Sequence, residues 1–182
     1  MKSINPYTGE LLEEYAEHTE EQVESAIQTG QEAFLSWREL PIAQRAALMK
    51  KAGQVLRDNI DKYGKIISLE MGKVITESRS EVEKCAWVCE YYAEKAEEML
   101  ADAPISLPDG KEAKVVYNPL GIVLAVMPWN FPFWQVFRFA APNLTAGNVG
   151  LLKHASNVPN AHWPSKRSSP KLDSQRVFSK PY

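Results

Sequence analysis

The sequence predicts an α/β protein: an N-terminal layer of helices followed by the start of a parallel sheet. Two observations carry this. Apolar residues recur at helical spacing from Thr19 to about Leu100. After Pro104 the pattern changes to two continuous apolar runs, residues 122–127 and 149–153, separated by a single helical stretch. Strand, helix and strand within about thirty residues form one βαβ unit, whose crossover is right-handed.

The elements follow in order. Asn5-Pro6-Tyr7-Thr8-Gly9 is a turn between short strands at Ser3-Ile4 and residues 11–15. Thr19 and Gln22 form a capping box, and Val23, Ala26, Ile27, Ala33, Phe34 and Trp37 then lie on one helical stripe. Pro41 opens a second helix, with Leu48, Ala52, Val55, Leu56 and Ile60 on one face. Ile66, Ile67, Leu69 and Met71 belong to a third, stopped by Gly72. A fourth runs from about Thr76 to Leu100 and carries Val82, Cys85, Ala86, Val88, Cys89 and Tyr92. Residues 113–117 form a strand and 118–121 a turn. Residues 122–127 read as a strand buried on both faces, residues 133–145 as a helix ended by Gly147-Asn148, and residues 149–153 as the second buried strand. Ligands of such sheets bind beyond the carboxyl ends of the strands, where Asn130 and Lys153 both fall. The expected division is a helical layer over residues 1–105, the βαβ unit over 106–160, and a separate segment over 161–182.

Composition excludes several classes. The chain has 182 residues, 45% hydrophobic and 24% charged, with a formal net charge of −2, which predicts neither a nucleic-acid nor a membrane partner. That total divides into +4 over residues 161–182 and −6 over the rest. Cys85 and Cys89, four apart on a helix, fit neither a disulfide framework nor a redox pair, and point to a cytoplasmic setting and buried packing. His18, His154 and His162 lack metal-ligand spacing, so structural roles are expected and no metal is assigned. The Glu-rich stretch near Glu90–Glu98 reads as a solvated helix face. The N-terminus shows no apolar leader segment and no run approaches transmembrane length.

No Gly-x-Gly-x-x-Gly follows the first long strand. In its place stands Met127-Pro128-Trp129-Asn130-Phe131-Pro132, followed by Ala146-Gly147-Asn148 and Leu151-Leu152-Lys153, and preceded by Asn5-Pro6-Tyr7-Thr8-Gly9 and Glu70-Met71-Gly72-Lys73. This set resembles the aldehyde dehydrogenase superfamily over residues 3 to about 160. Trp134-Gln135-Val136 and Leu152-Lys153-His154-Ala155 bring it nearest to the bacterial NAD(P)-dependent succinate-semialdehyde dehydrogenases.

The resemblance implies a Rossmann-like nucleotide-binding sheet, an NAD or NADP cofactor, a small aldehyde substrate and a homo-oligomer. In that family a cysteine thiolate attacks the aldehyde, and the oxygen that becomes negative needs a preorganised donor. Asn130 matches the asparagine whose amide is that donor, and it also borders the cofactor. Trp129 matches a residue lining the cofactor groove, Lys153 the lysine that meets the adenosine ribose, and Ser156 falls in the same loop. Asn157 stands where glutamate is common. A carboxylate there repels a 2′-phosphate, so its absence implies that NADP is tolerated with NAD. Arg138, eight residues after Asn130, matches an arginine of the semialdehyde enzymes, where a guanidinium can hold a distal carboxylate.

The family pattern fails at Asn160. Reading with one base inserted before the Ala161 codon permits the expected helix and the Ala-Gly-x-Pro-x-Gly-Val turn that follows it in the family. Residues 161–182 are therefore expected to be a frameshifted, basic and disordered tail. Neither cysteine resembles the family nucleophile, so the expectation is an inactive N-terminal part of an aldehyde dehydrogenase. The alternative is a non-catalytic fragment acting only by association with an intact homologue.

Overall fold

The computed structural model describes residues 1–108 and 111–159. The expected basic tail lies outside these residues.

The chain opens with strands β1 (Lys2–Ile4) and β2 (Leu11–Glu14), paired antiparallel. Asn5 shapes the turn between them, accepting the Tyr7 amide on its side chain at 2.9 Å and the Gly9 amide on its carbonyl at 2.8 Å. Helix α1 (Glu20–Trp37) starts at the expected capping box, with Thr19 and Gln22 satisfying each other's backbone amides. Helix α2 (Ile42–Asp58) follows Pro41, and α3 (Ile60–Met71) follows at once after Asn59. Ile60 therefore belongs to α3 and not to the second helix. Asn59 leaves helical geometry at φ −120°, ψ 22°, a one-residue break that apolar spacing does not reveal.

Gly72 ends α3 in the left-handed region at φ 77°. A Cβ there would lie 3.0 Å from Pro6 Cγ, so glycine is required both by the cap and by the close approach of the first turn. Ser3 Oγ donates to the buried Glu70 carboxylate at 2.7 Å. Two motifs far apart in sequence, Asn5–Gly9 and Glu70–Lys73, are thus one structural unit.

Helix α4 (Ile75–Met99) packs against α2 and α3 and lies next to α5 (Pro132–Thr145). The main core fills the space between them with Met49, Leu56, Ile67, Val82, Cys85, Cys89, Phe133 and Phe137, among others. Both cysteines are free and buried in it, as expected. Glu90 departs from the expected solvated face: it accepts from Arg57 Nε at 3.1 Å and Nη2 at 2.7 Å, a bidentate tie between α4 and α2.

Strands β3 (Ala103–Ser106) and β4 (Glu112–Val115) form an antiparallel ribbon. β3 was not legible in the sequence because it contains Pro104 and shows no buried face to produce alternation. β5 (Ile122–Val126) and β6 (Val149–Lys153) then pair in parallel, from Ile122 beside Val149 to Val126 beside Lys153.

Helix α5 covers one face of this pair, through Val136 against Ala125 and Leu152. Helix α1 covers the other, where Gly30 lets it settle so close that an added Cβ would meet Ile122 Cδ1 at 3.2 Å. β6 is buried along nearly its whole length, but β5 is not buried on both faces: Leu124 is 64% and Val126 63% exposed. Gly30 of α1 meets β5 at its first residue, Ile122, whereas Leu124 and Val126, further along the same face of the strand, are exposed. No described helix is long and apolar enough to cross a membrane.

Candidate functional site

The parallel register builds the site. Val126 lies beside Lys153, and the Met127 amide donates to the Lys153 carbonyl at 2.9 Å. The loop from Pro128 to Phe131 therefore leaves the sheet at the edge where β6 delivers Lys153. In open α/β sheets this carboxyl edge is where ligands sit.

Trp129, Asn130 and Phe131 are all exposed, Trp129 at 53% and Phe131 at 43%. They form a bend between the strand and α5, so the Asn130 amide stands in an accessible position framed by two aromatic residues. Lys153 is half-buried, and its ammonium donates to the His154 carbonyl at 3.1 Å. An ammonium has three donors, which leaves it able to meet a diol. Ser156 and Asn157 are exposed in the turn that follows. Arg138 is exposed on the second turn of α5, on the side away from the core formed by Phe133, Phe137 and Ala141. The structure thus ties Met127, the residue that leads into the Asn130 loop, to Lys153. It sets Ser156 just downstream and keeps Arg138 on the helix that starts at that loop.

Both ends of α5 are held by groups distant in sequence. At its C-terminal end, Trp37 Nε1 donates to the Leu144 carbonyl at 2.9 Å, and the buried Arg45 donates from Nε to the Thr145 carbonyl at 3.0 Å. Cationic and N–H donors at a helix C-terminus satisfy its free carbonyls and complement its dipole. Burial lowers the Arg45 pKa below its ordinary value. Asn148 then ties the two strand entries together, accepting the Leu120 amide at 2.6 Å and the Gly121 amide at 3.1 Å on its side-chain oxygen. Ala146-Gly147-Asn148 is therefore a scaffold motif that feeds β6 toward Lys153.

At the N-terminal end Glu81 of α4 accepts the Phe133 amide at 2.9 Å and the Trp134 amide at 3.0 Å. Its other carboxylate oxygen is paired with Lys73. Glu81 was not singled out from the sequence. A signal existed: α5 begins with Phe131 and Pro132, neither of which can cap it, so an acceptor had to come from elsewhere. Nothing in one-dimensional spacing says from where.

The remaining candidates stay in the core. Burial pushes the Cys85 thiol well up, helped by the nearby Glu81 carboxylate, and pushes Cys89 to about 12. A buried thiol held neutral is a poor nucleophile. His154 is 3% exposed, directly after Lys153. No group of three or more His, Cys, Asp or Glu capable of holding a metal occurs among the described residues.

The family profile described as the aldehyde dehydrogenase family matches residues 1–164. The probable succinate-semialdehyde dehydrogenase, NADP(+), of Synechocystis sp. is 52% identical over 159 residues, covering 87% of this chain and 35% of that protein. Succinate-semialdehyde dehydrogenase 1, NADP(+), of Mycobacterium tuberculosis is 46% identical over 161 residues, covering 87% of this chain and 35% of that protein. The crystal structure of succinic semialdehyde dehydrogenase from Streptococcus pyogenes with NADP+ superposes with a TM-score of 0.85 at 36% identity, over 88% of this chain and 35% of that one. The chain thus spans about 35% of the length of the curated relatives it matches.

Proposed function

The chain belongs to the aldehyde dehydrogenase family, and from that premise we propose that it supplies the oxyanion donor and the cofactor-facing loop of an NAD(P)-dependent dehydrogenase of succinate semialdehyde. The observation that carries the reading is the register of β5 on β6. It sets the Asn130 loop and Lys153 at one carboxyl edge, tied by the Met127 amide to the Lys153 carbonyl at 2.9 Å.

Each residue has a definite task. The Asn130 side-chain amide donates to the aldehyde oxygen as it gains negative charge. A neutral amide suits this because no charge has to be desolvated before the reaction, and one such donor is worth about 3–4 kcal/mol. Trp129 offers an exposed indole face beside it as one wall of the nicotinamide-side groove. The Lys153 ammonium meets the vicinal hydroxyls of the adenosine ribose, with the Ser156 hydroxyl as a second polar contact. The donor set fits a dinucleotide: a cation with donors to spare at a strand end, a hydroxyl three residues on, and an aromatic face. When bound, the dinucleotide supplies the hydride acceptor.

Asn157 places no carboxylate near the ribose, so both NAD and NADP are accepted, in keeping with relatives named for NADP(+). Arg138 holds the distal carboxylate of the substrate through its guanidinium fork.

The test is a chimera in which residues 1–159 replace the matching segment of the Synechocystis relative. It should turn over succinate semialdehyde with NADP, and with NAD. A folded chimera that binds NADP but shows no turnover would remove the proposal. Turnover with NAD and none with NADP would remove the part assigned to Asn157.

A further inference from the structure

Helix α5 starts at a place where its own sequence provides no cap. Its N-cap is Phe131, at φ −140° and ψ 73°, which has no polar side chain. The first helical residue is Pro132, which has no N–H. Two amides remain at the second and third positions, those of Phe133 and Trp134, and these are the donors an N-cap side chain ordinarily satisfies.

Both are satisfied by one oxygen of Glu81, reaching over from the middle of α4 at 2.9 and 3.0 Å. The second oxygen of Glu81 is paired with Lys73 Nζ. The side chains are 1% and 9% exposed, so this is a buried ion pair whose negative end faces the positive end of a helix. The Lys73 ammonium in turn lies 3.9 Å from the centroid of the Phe131 ring. Phe131 is the residue next to Asn130.

Asn130 is thereby pinned from both directions. On the strand side the Met127 amide is bonded to the Lys153 carbonyl. On the helix side Glu81 fixes where α5 begins and Lys73 fixes the ring of Phe131. Removing two ions from water is expensive, and a buried pair is often no more stabilising than apolar residues of the same volume. Stability alone is therefore a weak reason for this pair, whereas fixing a loop direction needs the charge and the geometry together.

We propose that Lys73 and Glu81 are positioning residues that set the direction of the Asn130 amide through Phe131 and the first turn of α5. This rests on the reading of Asn130 as the oxyanion donor.

The experiment uses the ¹⁵N-labelled 182-residue chain and measures backbone order parameters at Trp129, Asn130 and Phe131, alongside the thermal melt. In the unaltered chain these should sit near the rigid value of about 0.85. K73M and E81Q should lower them below about 0.6 while the amides of α2 and α4 keep theirs. K73R, which retains the charge and the contact with the ring, should restore the rigid values. The proposal is overturned if both variants melt lower yet leave residues 129–131 ordered, or if K73R is as damaging as K73M. Should either single variant fail to fold, the neutral double variant K73M/E81Q leaves no unpaired buried charge and takes its place: order retained at 129–131 overturns the proposal, order lost supports it. The underlying reading fails separately, if N130A in the chimera leaves turnover unchanged; the order measurement does not depend on that outcome.

Discussion

Arg45 is the residue whose replacement tests how the scaffold holds the site. It is 9% exposed and bridges the start of α2 to the end of α5, donating Nε to the Thr145 carbonyl at 3.0 Å and Nη1 to the Leu40 carbonyl. Methionine in its place keeps much of the stem volume and removes these bonds. A hydrogen bond from a charged donor contributes about 1.5–3 kcal/mol net, and each buried carbonyl left unpaired costs about 1–3 kcal/mol. Against this, methionine removes the cost of burying the guanidinium, which is what lowers the Arg45 pKa. With two principal bonds lost and that relief gained, R45M should destabilise by about 2–4 kcal/mol. For a chain of this size that is a fall in Tm of about 6–12 °C.

Urea unfolding and a melt followed by far-UV circular dichroism measure it. The pKa gives a further check. A cation whose folded pKa is depressed changes its protonation difference only near its own alkaline range, so the gap between R45M and the parent should stay flat from about pH 6 to 9. A gap under about 0.5 kcal/mol would refute the reasoning, because it would mean water already satisfies the Thr145 and Leu40 carbonyls.

The other predictions concern the site, the first turn and the core. In the chimera, N130A should lower kcat by about 100- to 1,000-fold with a small change in KM, read from NADPH formation; an equal loss in binding alone would argue against an oxyanion role. R138L should raise KM for succinate semialdehyde far more than for an uncharged aldehyde of similar length, and equal effects on both substrates would count against a carboxylate contact. Gly72→Ala places a side chain at φ 77° and 3.0 Å from Pro6, so it should cost about 1–3 kcal/mol by urea unfolding, with the first turn loosening ahead of the core in hydrogen exchange. Cys85 and Cys89 should resist a thiol-alkylating reagent near pH 8 in the folded chain and react once it is unfolded. Burial raises both thiol pKa values, so the stability tied to their neutral form is complete below the unfolded value of 9.0 and is lost as pH rises above it, for Cys89 as pH approaches about 12.

The sequence by itself determined most of the elements and their order. The capping box at Thr19, the glycine stop at Gly72, the βαβ unit and the Pro128–Pro132 break were legible because each depends on residues close together in the chain. So was the placing of Asn130 and Lys153 at one sheet edge, since parallel strands joined by a helix leave no other arrangement. Ile60 and β3 were misread or missed for the converse reason: one bent residue at Asn59 and a proline-bearing ribbon leave no periodic trace.

Only the tertiary structure decided how the site is held. That Glu81 caps α5 from 52 residues away, that Arg45 closes its other end, and that Ser3 meets Glu70 are pairings of polar groups across large sequence separations. They obey the rule that buried donors and acceptors must be satisfied, but the rule names no partner until the chain is folded.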